Sequence, residues 1–203
     1  LTVALDPAQD VYGRRRVWKE ARIDVVGGRR SRKLKQSYRN TNEILKLAIH
    51  FKGLQNYLEP DDDNPETMLV PDQVERHGEK PTIHKYSSIE AMSSQLASEI
   101  LTMIKSGTYS HKDIGIIVCA PKMFAGGIFE SNGIPVRHLT QTGQRNQFDI
   151  DEDTVKIITV ESSKGLEWKV VFLLGIDEMP RKGRDLKHET NLVYIGITRA
   201  QEK

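Results

Sequence analysis

The sequence predicts an α/β fold built on a largely parallel sheet, and three observations predict it. Candidate strands alternate with candidate helices along most of the chain, the pattern that βαβ connections produce. The strands read at GIIV and VVFLL are apolar at nearly every position, as strands covered on both faces must be. Polar stretches follow several of the apolar runs, and in open parallel sheets chemistry collects in the loops beyond the carboxyl ends of strands. By that rule 6–13, 38–41 and the knot from Glu161 to Glu167 are the places to look.

Taken in order, Leu1 to Leu5 is a short apolar run stopped by Asp6 and Pro7, read as a strand entering a loop. Residues 33–37 form a weak strand candidate. Thr41 or Asn42 caps a helix from Glu43 to about Tyr57, where Ile44, Leu45, Leu47, Ala48 and Phe51 recur at helical spacing. Residues 58–80, with EPDDDNPE and Gly78, form a long exposed connection. A strand at Thr82–Tyr86 follows, then an amphipathic helix at Ile89–Ser106 with Met92, Leu96, Ile100 and Ile104 on one side. Next come a buried strand at Ile114–Val118, a short helix near Lys122–Ser131 and a strand at Pro135–Leu139. Strands at 155–160 and 169–174 and a helix near Thr190–Gln201 complete the series.

Composition narrows the class. The chain has 203 residues, 37% of them hydrophobic and 29% charged, enough for one generous domain and few for two. It contains no apolar run of membrane-spanning length, and its first residues lack a signal-peptide pattern. It begins without Met inside an apparent strand and stops just after a helical pattern, as a piece of a longer protein would. One cysteine, Cys119, excludes an internal disulfide and suits a reducing, cytoplasmic setting; within IGIIVCA it reads as a buried structural thiol. The six histidines show no zinc-binding spacing. Asp61 to Asp63 lack the spacing and glycine of a calcium loop.

The formal net charge is only +2, yet it is unevenly placed. Residues 14–39, RRRVWKEARIDVVGGRRSRKLKQSYR, hold only Glu20 and Asp24 against a dense basic series. Such a block suits a polyanion such as nucleic acid, or else a solvated surface loop. There is no Gly-Lys dipeptide anywhere, so a P-loop is missing. Asp177 and Glu178, after VVFLLGI, stand near where a magnesium-binding pair would be sought, but they read better as a surface turn.

Four stretches, LDPAQDVYG, LKQSYRNTNEI, ITVESSKGLEWKVVFLLG and LVYIGITRA, resemble in order four motifs of the UvrD/Rep group of superfamily 1 DNA helicases. DIGIIV and SNGIPVRHL are similar to that family's connecting strand and turn, so the resemblance runs over nearly the whole chain. It implies that residues 1–203 are the second RecA-like motor domain, with a P-loop NTPase-type sheet that lacks the P-loop itself. The implied activity is ATP-dependent DNA unwinding or translocation by a longer parent. ATP is the implied cofactor, with Mg2+ held by a missing N-terminal RecA-like domain, which is also the implied partner. The other partner is single-stranded or duplex DNA, and no membrane is involved.

Roles follow residue by residue. Gln9 would sense the terminal phosphate, since an amide both donates and accepts. Arg39 and Arg199 would reach the γ-phosphate as arginine fingers. Tyr38 would stack on adenine and Glu167 would accept from the ribose hydroxyl, with Gly165 shaping the same turn. Tyr12 would stack on a base, while Arg14, Thr159 and Lys164 would meet the strand's phosphates. Each has a plainer counterpart: a strand aromatic for Tyr38, a loop plug for Tyr12, a turn amide for Gln9, surface ion-pair partners for the arginines and a solvated cation for Lys164.

The chain departs from the family pattern at three places. Glu161 stands where histidine is usual, and a bare carboxylate there would repel a phosphate. Arg14 stands where many relatives carry a tryptophan, and Leu5 replaces a glycine. The few residues between Leu139 and Val155 leave no room for the helical insertion of the large helicases. Two rival expectations remain: a non-catalytic nucleic-acid or protein binding module with a retained helicase fold, and an unrelated α/β enzyme with a complete metabolite site.

Overall fold

In the computed structural model, residues 39–51, 75–120, 127–140, 149 and 151–203 are described. The strands expected at 1–5 and 33–37, and the sites Gln9, Tyr12, Arg14 and Tyr38, lie outside them. So does the connection over 58–74, whereas 75–80 carries no helix or strand.

The elements are α1 (Asn42–Phe51), α2 (Ile89–Lys105), β1 (Ile114–Val118), α3 (Ile128–Ser131), β2 (Val136–Leu139), β3 (Val155–Thr159), β4 (Val170–Leu174) and α4 (Leu186–Ile197). The four strands form one sheet in the order β2-β3-β1-β4. Every pairing is parallel, with Val118 opposite Thr159 and Ile114 opposite Val170. The largely parallel sheet that the apolar runs demanded is therefore present.

Strand alternation divides the core into two layers. Ile114, Ile116 and Val118 of β1 join Val155, Ile157, Val170 and Leu174 under α2 and α3. Ile117 and Ile158, on the opposite side of the same strands, pack with Leu192 and Ile195 of α4. α1 closes that second face, with Ile44 and Ala48 against Val193 and Ile197. Helix ends follow local chemistry: Ser88 accepts from the Ala91 amide at the start of α2, and Asp185 from the His188 amide at the start of α4. The Ile44 amide reaches Thr41 Oγ1 at 3.4 Å, which makes Thr41 the residue that caps α1. Cys119 is buried, and burial pushes its thiol up to about 12, in keeping with a structural role.

Two expectations are corrected. Thr82–Tyr86 is not a strand: it pairs with no described strand, and Ile83 is 68% exposed. Its alternating pattern meets no strand edge among the described residues, and a strand exists only as part of a ladder. Helix α4 begins at Leu186, four positions before the expected Thr190, because Asp185 caps a first turn of polar residues that carries no apolar period.

The step from β3 to β4 passes over β1 without a helix. Residues 160–169 make it, with Val160, Leu166 and Trp168 packed on the α4 side of the sheet. Trp168 lies directly on Gly115, where a Cβ would stand 2.5 Å from the indole Cδ2. Glycine at 115 is thus required by the close approach of an aromatic ring. Gly115→Val is expected to cost about 3 kcal/mol, as overpacking in a closed core does. A urea titration of the variant checks it, and an unchanged midpoint would show that Trp168 can move aside.

Candidate functional site

The knot from Glu161 to Glu167 does not occupy one end of the sheet, contrary to expectation. β3 ends at Thr159, level with Val118, whereas β4 begins at Val170, level with Ile114. The two levels are about 13 Å apart along the strands. A link that skips β1 in a parallel sheet must return from the carboxyl rim to the amino rim, so Thr159 and Glu167 lie on opposite rims. The described part of 38–41 also sits at the amino rim of the four described strands.

At the amino rim three expected residues come together. Arg39 Nε lies 2.8 Å from Glu167 Oε2, with both side chains more than 40% exposed. On the adjoining residue, the Leu166 carbonyl accepts from Arg199 Nη1 at 3.2 Å. Arg199 is 1% exposed, and it also donates from Nε to the Ile195 carbonyl at 3.0 Å and from Nη2 to Thr198 Oγ1 at 3.2 Å. The two arginines therefore attach to consecutive residues of one turn, Arg39 facing solvent and Arg199 packed beneath the backbone.

The parts of this rim are laced together by groups that carry no sequence signal of their own. Asn40 is buried and donates from Nδ2 to the carbonyls of Thr198 (3.1 Å) and Ala200 (2.6 Å), fastening the Arg39 turn to the end of α4. Trp168 and Ala200 form a parallel bridge, and the 199–203 tail continues along β4 through bonds such as Val171 N to Lys203 O, 2.8 Å. Arg76 Nη1 donates to the Arg39 carbonyl at 2.8 Å. Glu43 accepts from the Gly78 amide at 3.0 Å and meets His77 Nδ1 at 3.2 Å, and these bonds hold its carboxyl down to about 2. Arg76 lay inside what reads as a featureless connection, so nothing local marked it.

Gly165, in the same crossover, has φ +87 and is exposed. Its left-handed backbone explains the glycine by conformation alone. The turn before it is tight: the Ser163 amide bonds the Thr159 carbonyl at 3.0 Å and Ser163 Oγ the Val160 carbonyl at 2.8 Å. At the carboxyl rim, Thr159 Oγ1 donates to Ser162 Oγ at 3.1 Å. Lys164, half-buried, lies in the crossover between the rims.

Glu161 is not a bare carboxylate. Arg181 Nη1 lies 2.7 Å from Glu161 Oε1, while its Nε and Nη2 each lie 2.8 Å from Glu189, whose side chain is 1% exposed. The Arg181 amide adds a third bond to Glu189 at 3.0 Å. Hydrogen bonds to the guanidinium hold the Glu189 carboxyl below the usual range. Sequence reasoning missed this cluster, because Arg181 sits in a turn-rich stretch and Glu189 on a polar helical turn.

Comparison with known proteins gives a consistent result. The family model for the UvrD-like helicase C-terminal domain matches residues 134–203. DNA helicase II of Escherichia coli K12 is 31% identical over 98 residues, 43% of this chain and 14% of that protein. The ATP-dependent DNA helicase PcrA of Bacillus subtilis 168 is 31% identical over 75 residues, 34% of this chain and 10% of that protein. The ATP-dependent DNA helicase Rep of Buchnera aphidicola subsp. Baizongia pistaciae is 35% identical over 72 residues, 32% of this chain and 11% of that protein. The chain thus matches about a seventh or less of the length of these curated relatives. A crystal structure of the C-terminal domain of a possible DNA helicase from Lactobacillus plantarum WCFS1 superposes with a TM-score of 0.52 at 14% identity, covering 82% of this chain and 84% of that one. That likeness speaks for the fold, an α/β parallel sheet flanked by helices and consistent with RecA-like architecture.

Proposed function

We propose, from the match of residues 134–203 to the UvrD-like helicase C-terminal domain, that this chain is the second motor lobe of an ATP-dependent DNA helicase or translocase. The observation that carries the reading is the exposed Arg39–Glu167 pair at the amino rim, joined through Leu166 to Arg199. A cation and a carboxylate in this arrangement suit the two ends of a nucleotide. Glu167 would accept from a ribose hydroxyl, and Arg39 would leave it to hold charge on the terminal phosphate. Tyr38, next to Arg39, would stack on the base, and Gln9 would sense the phosphate. The phosphate loop would come from the other lobe, since the sequence has no Gly-Lys dipeptide, and Mg2+ would be held there beside it.

DNA would lie at the opposite rim, touched by Thr159 and by Lys164 of the adjoining crossover, with Tyr12 and Arg14 added from the amino-terminal stretch. The rigid 160–167 turn then runs from the strand's side of the sheet to the nucleotide's side. A shift of Glu167 and Leu166 on ATP binding would be transmitted through this single turn to Thr159, which is a physical route from nucleotide state to grip on DNA.

Half a nucleotide site predicts no turnover by itself. The purified 203-residue chain is expected to hydrolyse ATP at background rate. With the lobe that carries the phosphate loop restored, Arg39→Ala is expected to lower turnover about a thousand-fold, the usual worth of an arginine finger. Steady-state phosphate release measures both. Turnover by the chain alone that vanishes on Arg39→Ala would overturn the division of labour. A non-catalytic DNA- or protein-binding module is the second reading, favoured by the engagement of Arg199 with main-chain carbonyls; it predicts normal DNA affinity and no ATP turnover even with both lobes present.

A further inference from the structure

We propose that the β4–α4 loop and the first turn of α4, residues 179–187, are an additional contact track for the phosphates of a nucleic-acid strand, carried by Lys182, Arg184 and Lys187. The proposal rests on the reading that this protein handles DNA at the carboxyl rim of its sheet, and it extends that surface to a loop that none of the recognised motifs includes.

Lys182, Arg184 and Lys187 are all exposed, and each is free of ion pairs among the described residues. The acids of the stretch are used elsewhere. Glu189 is buried against Arg181, and Asp185 accepts from the His188 amide at 2.8 Å as the cap of α4. Two further carboxylates stand at the base of the loop, Asp177, which is exposed, and Glu178, which is half-buried. Leu186 is 65% exposed between Asp185 and Lys187, an apolar surface that suits contact with a base or sugar edge.

The loop is also held in position. Arg181 anchors its start to Glu189 through two guanidinium bonds and an amide bond, and the Arg184 amide closes a turn onto the Arg181 carbonyl at 3.0 Å. The remaining arm of Arg181 reaches Glu161, two residues beyond Thr159. The three cations are thereby tied to the same rim as Thr159, and they outnumber the single negative charge that remains where Arg181 is shared by Glu161 and Glu189. An anchored loop backbone makes a phosphate track whose main chain needs little ordering on binding.

The test is a fluorescence-anisotropy titration of the 203-residue chain with a labelled single-stranded oligonucleotide at several salt concentrations. The combined variant Lys182→Gln, Arg184→Gln, Lys187→Gln is expected to bind about a hundred-fold more weakly at 0.1 M salt. Its plot of log affinity against log salt should be shallower by about 2, the slope of three lost phosphate contacts on a single strand. A control removing the same charge elsewhere, Lys46→Gln, Lys80→Gln, Lys105→Gln, is expected to retain most of the affinity and slope. Equal losses in the two variants, or none in the first, would overturn the loop assignment while leaving the motor reading in place. Failure of the unsubstituted chain to bind any oligonucleotide would count against the motor reading itself, and this proposal would fall with it.

Discussion

Arg199→Ala is expected to destabilise the fold by about 3–4 kcal/mol and to lower its melting temperature by about 10 °C. The guanidinium is 1% exposed and supplies hydrogen to the Leu166 and Ile195 carbonyls and to Thr198 Oγ1, so alanine takes the donor from the Leu166 carbonyl, leaves Ile195 with Thr198 Oγ1 alone and opens a cavity beside them. The same change would remove one of the two cations proposed for the nucleotide. Loss of ATP turnover in the two-lobe protein would therefore be ambiguous by itself. Arg199→Lys separates the two roles. Its ammonium keeps the charge and reaches part of the bond set, which limits the drop in melting temperature to a few degrees, yet it cannot offer a planar fork to a phosphoryl group. A fall in turnover of about a thousand-fold per folded molecule in the lysine variant would assign Arg199 to the phosphate. Turnover that simply follows the folded fraction would make Arg199 a strut for the Leu166–Glu167 turn and leave Arg39 as the lobe's only finger.

That ambiguity shows where sequence reasoning stops. The strands GIIV and VVFLL could be read because burial on both faces leaves nothing but apolar residues to count. Helix α2 could be read because Met92, Leu96 and Ile100 repeat on one face and Lys105 closes its last turn. The order of strands was a different matter, since it depends on which edges meet, and so does the lack of a partner for Thr82–Tyr86 among the described residues. The site divides in the same way. Arg39, Glu167 and Arg199 could be picked out by motif, and they do gather at one rim. Motif cannot tell which guanidinium faces water and which is spent on main-chain carbonyls, because that follows from how the end of α4 passes under the crossover. Nor could it separate the two ends of the 161–167 knot, since the distance between them comes from the skipped strand β1.

The pairing of Glu161 with Arg181 follows from such long-range packing, and it supports the second large prediction. Arg181→Ala is expected to cost about 3–5 kcal/mol at pH 7, since it leaves Glu189 ionised in a nearly closed site with its guanidinium gone. Glu189→Ala should cost less, because the abandoned Arg181 is 25% exposed and keeps Glu161 as a partner. The pH dependence fixes the cause. In the unsubstituted protein the folded Glu189 carboxyl is held below its ordinary value of 4.5. Its contribution is therefore complete above that value and lost only as pH falls through the lowered one, so stability owed to this group is flat between pH 7 and pH 5. In Arg181→Ala, burial without a partner raises the carboxyl's pKa instead, and protonation on going from pH 7 to pH 5 restores part of the lost stability. Thermal melts of the two proteins at both pH values test this. A variant that is no more stable at pH 5 than at pH 7, relative to the unsubstituted chain, would mean that water reaches Glu189 once Arg181 is gone. The cluster would then be a surface tie between the crossover and α4 and not a buried anchor for the basic loop.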